Sequence, residues 1–438
     1  VTPRPLALRW YLRLAAALAP VWRWGLQRRL QRGKETPTSI QHKLALQMPA
    51  RPQGLLVWGH AVGVGESMAL AGLFHRLGEQ RPELRFLITT TARTSGDALQ
   101  RQGLPPRCQH QFAPVDTPDA TARFMAHWRP SLALWCEMDL WPALICAADA
   151  QGMARVLVNA RLSAKSLAKR RWGRWIYRAL LPGFVDVFAQ NEASARGLAA
   201  LGARPESISV TGTIKVLSPA PACDASELAR WQRALGQRPV WLLASSHPGE
   251  EALALAAHAE LRQRDPDALL IIAPRVPTRG AELAALCPPA TPQRSAGERL
   301  PTDASVYLAD TIGEMGLWYR LAPVALVGGS LAAVGGHNPH EPLALGCAVL
   351  HGPNVWNFSE SYAALDEQGL SEPVNNVTDI ANAVKAAWAL PMPREDRRPK
   401  DELAEALVTR LLSHVREGGG VDQEHRGTGS AGSPVPPP

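Results

Sequence analysis

Two glycine-rich segments carry residue types suited to chemistry on a phosphate-bearing ligand. The first runs Val327-Gly328-Gly329-Ser330 and on through Gly335-Gly336-His337-Asn338-Pro339-His340-Glu341-Pro342. It reads as a short apolar strand entering a glycine-rich loop that opens a helix. Glycines let the backbone approach a ligand, and the unpaired amides of a helix's first turn carry partial positive charge, so this grammar describes an anion pocket. The second, Gly59-His60-Ala61-Val62-Gly63-Val64-Gly65-Glu66, is a similar strand-to-helix turn that ends in a carboxylate. One chain thus offers a phosphate cradle and a facing candidate base.

The elements that must position these residues alternate from residue 55 onward. Leu55–Gly59, Leu84–Thr91, Leu132–Cys136, Arg155–Asn159 and Val185–Ala189 read as buried parallel strands, near-continuously apolar and separated by crossover-helix lengths. The pattern stops at the proline-rich Ser218–Ala222 and restarts with Val240–Ala244, Leu269–Ala273, Val306–Leu308, Ala325–Gly328 and Ala348–Leu350. The fold class is therefore α/β, with two Rossmann-like domains facing an interdomain cleft. The expected division is 1–34 a basic amphipathic segment, 35–216 the first domain, 217–238 a linker, 239–416 the second domain and 417–438 a disordered tail.

At 438 residues, two domains are the default expectation, and 46% hydrophobic with 20% charged residues is an ordinary globular balance. The net charge of +8 sits at one end. Arg4, Arg9, Arg13, Arg23, Arg28, Arg29, Arg32 and Lys34 are accompanied by no acid, and the other 39 basic residues balance 39 acidic ones. Interleaved Trp10, Tyr11, Leu14, Leu18, Trp22 and Trp24 suit an anionic membrane surface. The apolar run Leu14–Trp22 is too short for the roughly 20 residues a spanning helix needs. A cleaved signal peptide and a basic helix packed on the protein itself are the rival readings. Six cysteines without any C-x-x-C spacing read as buried, reduced small hydrophobes, with no zinc site.

Ordered blocks along residues 4–416 carry a family resemblance. They are His60–Glu66, Cys136-Glu137-Met138-Asp139-Leu140-Trp141-Pro142, Asn159–Ser163, Thr211–Lys215, Ala244–Glu251, Ala273-Pro274-Arg275, Asp310–Glu314 and Gly328–Pro342. The chain resembles the 3-deoxy-D-manno-octulosonic acid (Kdo) transferases, glycosyltransferases of the GT-B fold that move Kdo from CMP-Kdo to a lipid A precursor. It departs from the family pattern at Gly63, where serine is usual, at Asp139, where a second glutamate is usual, and at Thr213-Ile214-Lys215-Val216, where Asn-Leu-Lys-Phe is usual. The resemblance implies an inverting, metal-independent enzyme with no cofactor, CMP-Kdo as donor and lipid IVA as acceptor. It also implies a place at the cytoplasmic face of a bacterial inner membrane, in lipopolysaccharide core biosynthesis.

Carried onto this sequence, the resemblance makes Glu66 the general base and gives Glu137 and Lys215 transition-state roles. Pro274, Arg275, Ile312, Gly313, Glu314, Asn338, Pro339, His340 and Glu341 contact CMP. Each position has a plainer reading on spelling alone. Glu66 and Glu137 also suit helix-start acids worth about 0.3–1 kcal/mol against the dipole, and Lys215 a lone surface lysine. Thr311–Glu314 spells a capping box with Thr311 as N-cap, and Asn338–Glu341 a second box with Pro339 at the first helical position. Asp139 reads as structural, and His60 and His337 as loop scaffolds. Arg161, Lys165, Lys169, Arg170, Arg171, Arg174 and Arg178, with Trp172, Trp175 and Tyr177, form either a solvated face or a surface for lipid phosphates. No nucleic-acid module accompanies that charge. The alternative function is another GT-B sugar-nucleotide enzyme, a UDP-sugar transferase or an epimerase.

Overall fold

The computed structural model describes residues 5–297, 303–389 and 402–415; the expected tail at 417–438 lies outside them. Seven strands form the first sheet: β1 Leu56–Ala61, β2 Arg85–Thr90, β3 Cys108–Phe112, β4 Leu132–Cys136, β5 Ala154–Ala160, β6 Asp186–Ala189 and β7 Ile208–Val210. They pair in parallel in the order β3-β2-β1-β4-β5-β6-β7. The second sheet holds β8 Val240–Ser246, β9 Leu269–Pro274, β10 Val306–Leu308, β11 Val324–Val327, β12 Ala348–His351 and β13 Ser371–Pro373. Its order is β10-β9-β8-β11-β12-β13, also parallel throughout.

Central strands are buried on both faces, which is why they read as apolar runs. Side chains alternate between layers: Trp58 and Trp135 meet edge-on at 4.9 Å on one face of the first sheet, while Val57, Leu134 and Cys136 pack with Leu70 and Phe74 on the other. Around the second sheet, Trp231, Tyr307 and Trp318 interlock, with Trp231 edge-on to both partners at 4.7 and 5.1 Å.

The structure redraws two expected boundaries. Helix Ala225–Leu235 buries Trp231 and Leu235 in the second core, so the second half begins within the expected linker 217–238. Helix Glu402–Ser413, expected in the second domain, returns to the first, where Leu407, Val408 and Leu411 join its core. Arg410 grips Asp186 at 2.8 and 3.1 Å, and His414 Nε2 lies 2.5 Å from the same carboxylate.

The amino-terminal segment folds as two helices, Leu6–Ala17 and Ala19–Gln31, with Pro20 in the first turn of the second. Leu8, Ala15 and Leu26 are buried, and the Tyr11 hydroxyl donates to Asp116 at 2.7 Å. Among the described residues no helix is long and apolar enough to cross a membrane. All six cysteines are free, but only Cys136, Cys146 and Cys347 are buried; Cys108, Cys223 and Cys287 are half-buried, contrary to the expectation for all six.

Candidate active site

Strand order reverses between β1 and β4 in the first sheet and between β8 and β11 in the second. Ligands bind beyond the carboxyl ends of strands at such reversals. The first reversal delivers Glu66 and Glu137. The second delivers the turns His247–Glu250 and Gly328–Glu341.

Glu66 is the third residue of helix Val64–Gln80, and its Oε2 accepts from Val62 N at 3.0 Å and Gly63 N at 3.2 Å. This is half a capping box, because Gly63 has no side chain to return the bond. Glu137 follows β4 with φ +60°, a left-handed conformation that strains a non-glycine residue. Glu66 and Glu137 line one cleft of about 440 Å³ with Asp139, Arg161 and Ser163. Burial first, then the charge of Glu66, pushes the Glu137 carboxyl up to about 7, against the opposing pull of Lys215 and Arg161. Asp139 accepts from Trp141 Nε1 at 2.6 Å, and buried His60 is 3.0 Å from Thr89 Oγ1 through Nδ1, both as scaffold residues do.

Lys215 lies in the short 3-10 turn Ile214–Leu217, with its Nζ 5.3 Å from the Phe358 ring centroid of the other half. It borders a second cleft of about 390 Å³ with Gln190, Asn191 and Thr213 on one wall and His340 and Glu360 on the other. Arg161 lines both clefts and donates across the gap to Asn357 O at 3.4 Å. Lys215 therefore stands where the two halves meet, not on an isolated surface.

In the second half, Pro274 closes β9 and Arg275 follows it with an exposed side chain. Burial, His247 and then Arg275 hold His337 down to about 4, and burial raises Glu341 against Asn338 and Arg275. Arg275, His337 and Glu341 therefore converge. His340 is buried and lies 3.2 Å from Ser361 Oγ through Nε2. Ile312, Gly313 and Glu314 line neither cleft. They follow β10, with Ile312 73% exposed and Gly313 at φ +91°.

Three local expectations are overturned. Thr311 caps no helix: helix Met315–Leu321 begins after Glu314, and the Thr311 hydroxyl donates instead to the Glu314 carboxylate. Arg294 grips that carboxylate with Nε at 3.0 Å and Nη2 at 2.5 Å. The second box is also displaced, because helix His340–Ala344 has Pro339 as its N-cap. Asn338 Oδ1 accepts from His340 N at 3.1 Å, and its amide, not a backbone N–H, donates to Glu341 at 3.4 Å. Third, the amides of Gly329, Ser330, Leu331 and Ala332, read as part of a phosphate cradle, all donate to the carboxylate of Glu250.

Asn159 is a site residue whose role the sequence reading missed. It is fully buried at φ +56°, at a register shift in β5. Its Oδ1 accepts from Ile214 N at 3.1 Å and Thr213 Oγ1 at 3.2 Å, while Nδ2 donates to Glu137 at 3.4 Å. One amide thus ties Glu137 to the turn that carries Lys215. An asparagine ending an apolar strand, a residue that tolerates left-handed backbone, was the available signal.

Two parallel-sheet α/β halves that meet along their clefts define a protein of the GT-B fold class. Residues 25–218 match the family profile described as 3-Deoxy-D-manno-octulosonic-acid transferase (kdotransferase). The 3-deoxy-D-manno-octulosonic acid transferase of Bordetella pertussis is 36% identical over 413 residues, covering 92% of this chain and 94% of that protein. The one from Haemophilus influenzae is 33% identical over 348 residues, covering 76% and 79%. The chain belongs to the Kdo transferase family and is a Kdo transferase. The UDP-GlcNAc 2-epimerase of Neisseria meningitidis shares the fold, with TM-score 0.53, 16% identity, and 82% of this chain and 100% of that one covered.

Proposed function

We propose that the enzyme transfers Kdo from CMP-Kdo to a hydroxyl of lipid IVA, with inversion and without a metal or cofactor, as a step of lipopolysaccharide core biosynthesis. The observation that carries this reading is that Glu66 and Glu137 share one cleft while Lys215, on the adjoining cleft at the seam between the halves, acts on Glu137 through its charge. Both amide bonds to Glu66 fall on Oε2, which leaves Oε1 to take the acceptor's proton. Glu137, when ionised, stabilises positive charge that develops at the transferred carbon. Lys215 neutralises the departing phosphate, and the groups around Arg275 and Asn338–Glu341 hold the cytidylate. A single-phosphate leaving group needs little more than these cations.

The acceptor is lipid-borne, so we place the enzyme at the cytoplasmic face of a bacterial inner membrane. The amino-terminal helices and the basic stretch 161–178 supply its attachment surface. The test is incubation with CMP-Kdo and lipid IVA, followed by mass spectrometry of the lipid. A mass increase of Kdo that falls at least about a hundredfold in rate with Glu66→Ala supports the base assignment; equal product from both proteins removes it. Thermal-shift measurements with CMP and UDP test the donor, and a response to UDP alone rejects it.

A further inference from the structure

The turn after β11 has the amide arrangement of an anion site, yet a carboxylate of the chain fills it. Glu250 opens helix Glu250–Arg264 and is 1% exposed. Its Oε1 accepts from Ser330 N, Leu331 N and Ala332 N at 3.0, 2.9 and 3.1 Å. Its Oε2 accepts from Gly329 N at 2.8 Å and His247 N at 2.9 Å. Five neutral donors aimed at one buried anion reproduce what such a turn does for a bound phosphate.

The bonds that fan out from this carboxylate reach the donor side of the cleft. Gly329 O, fixed through its own residue's amide, accepts from Gly335 N at 3.1 Å and Gly336 N at 2.7 Å, which sets where His337 begins. His247 is fixed at its backbone by the same carboxylate. The two imidazoles then lie with Nε2 atoms 2.8 Å apart and rings 5.1 Å apart, inclined by 16°. Arg275 lies close to this pair, and Asn338–Glu341 follow it directly.

We propose that Glu250 is a built-in anion that substitutes for a ligand phosphate in the glycine-rich turn and acts as the positioning residue for cytidylate binding, through the His247–His337 pair. This rests on the CMP-Kdo reading above. A carboxylate already in the turn means that the donor's phosphate binds elsewhere, among Arg275 and the loop Glu250 holds in place.

The test is calorimetric titration of the full chain with CMP, alongside separate KM values for donor and acceptor. Glu250→Ala is expected to weaken CMP at least about tenfold and to raise the donor KM in parallel, with the acceptor KM within about twofold of wild type. Formate, which fits the vacated ring of amides, is expected to restore CMP affinity in that variant and to leave wild type unchanged. Glu250→Asp keeps the charge but withdraws it by one methylene. It decides the matter if the alanine variant does not fold, and a weakening of CMP in the same direction is expected. Folded variants that bind CMP as wild type does overturn the positioning role, and loss without rescue by formate overturns the built-in anion. Wild-type protein that binds no CMP overturns the donor reading itself, and this inference with it.

Discussion

Glu137 occupies a strained backbone position, and its carboxyl is raised to about 7 by burial and by the neighbouring charge of Glu66. In the folded protein it keeps its proton between its ordinary value of 4.5 and about 7, where the unfolded chain has lost it. Its contribution to stability is therefore fully present below 4.5 and is lost as pH rises through about 7. On the role proposed for Glu137, activity runs the opposite way, because only the ionised form can stabilise positive charge. We expect kcat/KM to rise with pH through an inflection near 7 that Glu137→Gln abolishes, as measured by pH–rate profiles of both proteins. A variant that retains the inflection assigns it to another group. Glu66 was legible as an acid at a helix start after a glycine-rich turn, and Glu137 as an acid following an apolar strand. The elevated proton affinity was not, because it arises from burial and from Glu66, a residue far away in sequence, against the opposing pull of Lys215 and Arg161.

Helix Val64–Gln80 does more than present Glu66. Gly72 lies under the turn Ile214–Leu217, and a Cβ there would overlap the Leu217 carbonyl. We expect Gly72→Ala to cost about 1–3 kcal/mol of stability by overpacking, read as a lower melting temperature. It should also reduce kcat at temperatures where the protein stays folded, because the turn that carries Lys215 is displaced. A wild-type kcat together with an unchanged melting temperature would sink this. The central strands were readable from their apolar runs. The three strands absent from the sequence reading, β3, β7 and β13, all lie at sheet edges, and Cys-Gln-His-Gln-Phe, Ile-Ser-Val and Ser-Glu-Pro lack a long apolar run. The capping boxes at Thr311 and Asn338 misled for a related reason. Their spelling is local, but Arg294 in one case and the loop's own turn in the other decided which residue began the helix.

Across the whole molecule, helix Leu6–Ala17 packs against helix Arg174–Leu180 and brings the two basic, aromatic stretches together. Trp10 is 66% exposed, Trp24 62% and Trp172 93%, an arrangement suited to indoles at headgroup depth beside arginines. We expect the full chain to co-float with vesicles that contain anionic phospholipid, to release as salt rises, and to bind less after joint replacement of Trp10 and Trp172 by alanine. Equal flotation on neutral vesicles would dismiss the electrostatic part of that surface. The return of helix Glu402–Ser413 to the first sheet was hidden in the sequence, since its apolar spacing fits either core and only Asp186, with Arg410 and His414, shows which one received it. That return bears on how the protein is made. A ribosome finishes the first sheet's strands long before it delivers Leu407, Val408 and Leu411, so the nascent first half must wait with part of its core open until that helix has been made. Completion of the first half's core is thereby timed to follow synthesis of the second half.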